Sequence, residues 1–192
     1  MDKLKHSLVF SALIIVLSGC AWVPQTATLN PKPRITPSSI GNGVGVAVRV
    51  IDRRPSQILG HRGLESKNAA IKTEQNVATL FQEKIIEGLG RKGFSTAPYE
   101  GQPGRLLTVE IRQIDYTAEM EFWKGVAQTE VTLNASVVKD GVRLERAYSG
   151  KRSEKTIEAP SAKTNERLIN DAITDALQRL FEDEGLMRYL AE

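Results

Sequence analysis

The stretch that most limits how this chain can fold lies at residues 126–157, on both sides of Lys139-Asp140-Gly141. Before the turn, Ala127, Val131, Leu133, Ala135 and Val137 fall on one face of an extended chain, because side chains alternate sides along a strand. Asp-Gly tolerates the left-handed conformations that a tight two-residue turn requires. After the turn, Val142, Leu144 and Tyr148 share a face, and the return strand can run to about Ile157 before Ala159-Pro160 breaks it. A lone hairpin is at best marginally stable in water, so its apolar face must find a cover and its edges must find further strands.

The rest of the chain supplies both. After Ser161, a helix N-cap, Leu168, Ile169, Ala172, Ile173, Ala176, Leu177, Leu180 and Phe181 recur at helical spacing, with Asp171, Asp175, Gln178 and Glu182 on the outer side. Gly185 is expected to end that helix, with a short turn over 186–190. A second amphipathic helix carries Val77, Leu80, Phe81, Ile85 and Leu89, with Thr73 as the expected N-cap, Glu74 at the positive end of the dipole, and Gly90 and Gly93 at the close. Val44, Val46, Val48 and Val50 alternate as a strand that ends at Asp52-Arg53-Arg54-Pro55. A further short strand is expected at 67–71. Leu107, Val109 and Ile111 alternate, but Ile114 and Tyr116 continue in the opposite phase. A one-residue slip turns a strand over, so a β-bulge is predicted near Arg112-Gln113. The order β-α-β-β-β-α predicts an α+β two-layer sandwich. Its antiparallel or mixed sheet has about four strands, and two amphipathic helices cover one face.

The N-terminus reads differently. Lys3 and Lys5 precede an apolar run at 8–17, LVFSALIIVL. About ten residues are too few to span a bilayer, which needs about 20, but they suit the apolar region of a secretory signal. Leu17-Ser18-Gly19-Cys20 follows, and it resembles the bacterial lipobox, with cleavage between Gly19 and Cys20 and lipid on the Cys20 sulfur. Cys20 is the only cysteine, so no disulfide partner competes for it. Two or more acyl chains anchor a protein stably. Ala21 stands where enterobacterial lipoproteins retained in the inner membrane carry Asp, which implies the outer membrane, facing the periplasm. Pro24, Pro31, Pro33 and Pro37 then suggest a semi-extended tether. The expected organisation is a signal peptide at 1–19, lipidated Cys20 and tether at 20–42, and one periplasmic domain at 43–192. At ~3.1 Å per extended residue such a tether would reach at most ~60 Å.

Catalytic or cofactor chemistry finds little support. The formal net charge is +3, with isolated Arg53-Arg54 and Lys151-Arg152 pairs and no basic stripe, so no nucleic-acid partner is expected. His61 is the one histidine outside the signal and sits in LGHRGLE; as a base or metal ligand it would need neighbours that the sequence does not display. Glu119 and Glu121 have the spacing of paired carboxylates but read as solvated strand residues. GVGVAV precedes its strand's apolar run where a dinucleotide fingerprint would follow it. No metal-ligand pattern is present, and no cofactor is expected. Phe122 and Trp123, in EMEFWKG between strands, are the candidate partner-binding aromatics.

With these motifs in place, the chain resembles the YajG family of Gram-negative bacterial lipoproteins. The resemblance runs from Val44 onward: the opening strand into Asp52 and Arg54, Leu59-Gly60, the helix into Gly93-Phe94, the strand from Leu107 to Ile111, the hairpin turning at Asp140-Gly141, and the closing helix. It implies a location and a fold, with Asp52 and Arg54 as an ion pair, and no activity. The function expected is a non-enzymatic binding or scaffolding role in the envelope. Its partners would be the membrane, through the lipid on Cys20, and envelope proteins or peptidoglycan. Two rival readings make structural demands. A lipid or solute transport accessory needs an apolar groove between helices and sheet. A periplasmic hydrolase needs a cleft that brings His61 within hydrogen-bond reach of a Ser, Asp or Glu.

Overall fold

The hairpin becomes part of a longer meander in the structure, a computed structural model that describes residues 23–63, 69–100, 104–121 and 124–192. Gly19, Cys20, Phe122 and Trp123 lie outside the described residues. In chain order the elements are β1 Gln25–Thr26, β2 Gly45–Asp52, β3 Gly60–Arg62, β4 Ala70–Lys72, α1 Val77–Arg91, β5 Ser95–Pro98, β6 Arg105–Glu121, β7 Lys124–Lys139, β8 Val142–Thr156, α2 Ala162–Glu182 and α3 Glu184–Ala191. The eight described strands form one curled mixed sheet. β6, β7 and β8 pair antiparallel along their length. The other edge of β6 is shared: β2 runs parallel to its first half and β3 parallel to its second. β5 lies outside β2, while β4 and then β1 lie outside β3.

The predicted bulge is present, with the β6–β7 register shifting between Ile111 and Gln113. Its effect is on packing. Leu107, Val109 and Ile111 before it, and Ile114, Tyr116 and Ala118 after it, are all buried on one face opposite Val137, Ala135, Leu133, Val131, Thr129 and Ala127. Asp140 and Gly141 both have positive φ, at 49° and 78°, as a tight hairpin turn demands. α1 and α2 cover this apolar face, α1 over β2 and β5, and α2 over β8 and β7. The opposite face stays open to solvent.

Four expectations are corrected. The sheet has eight strands and there are three helices among the described residues, against the expected four and two. β4 overlaps the further short strand expected at 67–71, and the other three additional strands are two to four residues long, too short to show a period, and exist because longer neighbours offer them pairing edges. α1 is capped by Asn76, whose side chain accepts from the Thr79 N–H at 3.0 Å, rather than by Thr73. The Thr73 hydroxyl instead accepts from the Gln75 N–H, closing a turn just ahead of the helix. Gly93 does close that end, at φ 86°, whereas Gly90 is inside the helix. Gly185 does not end α2. Asp183 does, and it also caps α3 through a 2.9 Å bond from the Leu186 N–H.

The fourth correction concerns the tether. Residues 25–35 are packed on the body, with Ala27, Leu29 and Ile35 buried. The Thr28, Asn30 and Lys32 N–H groups donate to side chains of α2, namely Glu166 at 2.8 Å, Asn170 at 2.6 Å and Thr174 at 2.9 Å. Leu29 exchanges both backbone groups with the Gln75 side chain. Prolines deny this segment a regular ladder, so α2 side chains satisfy its backbone instead.

Candidate functional site

The shared edge of β6 leaves a gap. β2 pairs with it as far as Ile111, and β3 takes over at Tyr116. Between them the chain at 53–59 swings out of the sheet. It departs with Arg53 N–H bonded to the Ile111 carbonyl and returns with the Leu59 carbonyl accepting from Tyr116 N–H. The result is a recess of about 340 Å³ lined by Arg54, Ser56, Ile58, His61, Arg112 and Asp115 among others. It lies beyond the carboxyl end of a parallel strand, where the neighbouring strand changes.

Arg54 gives the recess its chemistry. Its Nε donates to Asp52 Oδ1 at 2.9 Å and its Nη2 to Oδ2 at 2.7 Å, a two-pronged pairing. The Arg54 N–H also reaches Asp52 Oδ1 at 3.1 Å. The ion pair implied by the resemblance is therefore formed. Burial acts to raise the Asp52 carboxyl pKa, but hydrogen bonds and charge from Arg54 outweigh it and hold it below the usual value. The Arg54 side chain is only 4% exposed, and its Nη1 is buried without a hydrogen-bond partner among the described residues. A buried guanidinium with an unspent N–H is costly unless something accepts from it. Guanidinium forks suit carboxylates and phosphates best. Arg112, displaced from the regular ladder by the bulge, adds a second cation at the rim and is held by Glu110 at 3.3 Å.

Each candidate from the sequence has a definite place. His61 sits half-buried on β3 and lines the recess together with Ser56 and Asp115, yet no hydrogen bond joins it to either. The His61 contact that the hydrolase reading demands is thus not formed among the described residues. Glu119 is exposed on β6. Arg112 and Asp115 were not anticipated as site residues; the phase break that predicted the bulge was the signal that could have marked them. Between helices and sheet, where a transport accessory would need a groove, Phe81, Ile85, Leu89, Ile169, Ile173 and Phe181 are 0–1% exposed and fill the layer. Among the described residues no group of three or more His, Cys, Asp or Glu could hold a metal ion. No described helix is long and apolar enough to cross a membrane.

Comparison with known proteins agrees with this architecture. A family model described as an uncharacterized lipoprotein matches residues 31–191. No curated protein matches the chain. Among solved structures, one from Xanthomonas campestris is similar at a TM-score of 0.54 and 9% identity, over 83% of this chain and 92% of its own. A Helicobacter pylori protein, named as a homologue of a neuraminyllactose-binding hemagglutinin, is similar at a TM-score of 0.52 and 12% identity, over 84% of this chain and 94% of its own. At these identities the likeness is one of fold.

Proposed function

This chain belongs to the YajG family of uncharacterised lipoproteins, and from that membership we propose a lipid-anchored, non-enzymatic binding protein of the cell envelope. Signal cleavage after Gly19 and acylation of Cys20, as the Leu17-Ser18-Gly19-Cys20 motif implies, moor it to the periplasmic side of the outer membrane. The α+β body then presents the recess between β2, β3 and the β6 bulge to an acceptor-rich group of an envelope partner, such as a carboxylate on a protein or on peptidoglycan. The observation that supports this reading is Arg54. It is locked in orientation by Asp52, almost wholly buried, and its Nη1 has no hydrogen-bond partner among the described residues.

In-cell photo-crosslinking tests it. A benzophenone side chain placed at Ser56 or Gln57, exposed on the recess loop, is expected to yield an adduct of defined mass. Arg54→Gln and His61→Ala are each expected to weaken that adduct. A partner captured equally well from a probe on the outer side of α2 and unaffected by either substitution would defeat the assignment of this recess. Metabolic labelling with palmitate checks the anchor separately, since the label must disappear in Cys20→Ser.

A further inference from the structure

The strand register fixes which end of the body faces the anchor. β1 runs parallel to β4 with Gln25 opposite Ile71, β4 antiparallel to β3 with Ile71 opposite Gly60, and β3 parallel to β6 with Gly60 opposite Tyr116. Every step from Gln25 toward the N-terminus therefore advances one residue along β6 toward Glu121. Gln25 thus stands at the level of Tyr116, and Val23 lies two residues further toward the N-terminus. Cys20 is three residues beyond Val23, and three extended residues span about 10 Å. Docking of residues 25–35 on α2 has thus reduced a tether of apparent length ~60 Å to a short leash.

The same end carries exposed apolar side chains. Of the six large hydrophobic residues exposed among those described, Val23 at 54%, Val126 at 42% and Ile157 at 82% lie there. Val126 adjoins the rung that pairs Gly125 with Thr156, and Ile157 directly follows Thr156. Lys155 is opposite Val126, and Lys124 is paired with Glu121 where β6 gives way to β7. Val138 and Val142 are at the far end, beside the Asp140-Gly141 turn.

Resting on the anchored reading above, we infer that this end of the sheet, with Val23, Val126 and Ile157, lies against the lipid leaflet that holds Cys20. The leash selects lipid as the occupant. The polar interface of a bilayer is roughly 5–8 Å deep on each side, so a body held within about 10 Å of its acyl chains meets that interface before anything else. Apolar surface leaving water there is stabilised by about 25 cal/mol per Å². Lys124 and Lys155 are suited to phospholipid phosphates beside it. The domain is then oriented: the hairpin turn points away from the membrane, and the recess at the level of residues 112–115 stands roughly 10–20 Å above the leaflet at 3.3 Å per residue.

The test uses the acylated full-length product in phosphatidylethanolamine–phosphatidylglycerol vesicles, with Ile157→Cys or Val142→Cys carrying an environment-sensitive fluorophore. The Cys20 sulfur is alkylated, so only the introduced thiol reacts. The probe at 157 is expected to shift to the blue and to be shielded several-fold from aqueous iodide relative to the probe at 142. Equal quenching at both positions, in protein that floats with the vesicles, overturns the inference and leaves the anchor intact. Shielding at 157 that vanishes on dilution to one protein per vesicle assigns the surface to a second copy and also overturns it. Protein that fails to float at all removes the anchor and this orientation together.

Discussion

Gly150 of β8 lies directly under Ala172 of α2: a Cβ on Gly150 would stand 1.9 Å from the Ala172 carbonyl oxygen. A strand glycine here lets a helix backbone approach the sheet closely. Because the obstacle is backbone rather than a side chain that can swing away, Gly150→Ala must push α2 outward along its central turns. The expected loss is about 1–3 kcal/mol, read as a lower urea midpoint with unchanged slope. An unchanged midpoint would mean that α2 retreats at no cost.

Asn165, 1% exposed, joins three elements. Its Oδ1 accepts the Tyr116 hydroxyl from β6, and its Nδ2 donates to Gln25 Oε1 of β1 at 2.7 Å. Burial raises the Tyr116 pKa, so the phenol remains a neutral donor. Asn165→Leu strands that O–H in the core and is expected to cost about 1–3 kcal/mol. Tyr116→Phe in the same background should recover part of the loss, since it removes the stranded hydroxyl, while Gln25 Oε1 remains without its Asn165 donor. A double-mutant cycle with no coupling between the two positions would contradict the network.

These two contacts show which parts of the fold were legible beforehand. The bulge at Arg112, the turn at Asp140-Gly141 and the Ser161 cap of α2 are local chemistry written in adjacent residues, and all three are found. Gly150 and Asn165 act across elements, and nothing near them in sequence reveals Ala172 or Gln25. The same holds for the segment after Cys20. Its prolines describe a chain that cannot form a regular ladder, but not that Glu166, Asn170 and Thr174 wait on α2 to hold it. For the recess, Asp52 and Arg54 were recognisable as a pair. The switch from β2 to β3 along one edge of β6 depends on three-residue strands with no period of their own.

Leu29 tests the docked segment. It is 1% exposed in the core although it belongs to the segment expected to be a tether. Leu29→Ala is expected to destabilise the whole protein by about 2–4 kcal/mol, as for a truncated core leucine. It should also speed proteolysis within residues 24–36. A tether that merely spans space would show neither effect, so an unaltered denaturation midpoint would restore the long-reach picture and weaken the membrane-facing orientation.

Asp183 predicts how the closing helices respond to acid. Burial raises its pKa, but the Leu186 N–H, the Tyr148 hydroxyl at 2.7 Å and the nearby Arg146 lower it by more, so the folded value lies below the ordinary 3.8. A carboxyl depressed in the folded state contributes stability that is complete above its unfolded pKa and fades as pH falls through the folded one. Asp183→Ala should therefore lower stability at neutral pH by about 1 kcal/mol, the usual worth of an N-cap. The gap between wild type and variant should narrow as pH drops below about 4, because protonation removes from the wild type what the substitution has already removed. Parallel melting curves at pH 7, 5, 4 and 3 measure it. A gap of constant width would show that the Asp183 side chain acts at the α2–α3 junction through its shape and not through its charge.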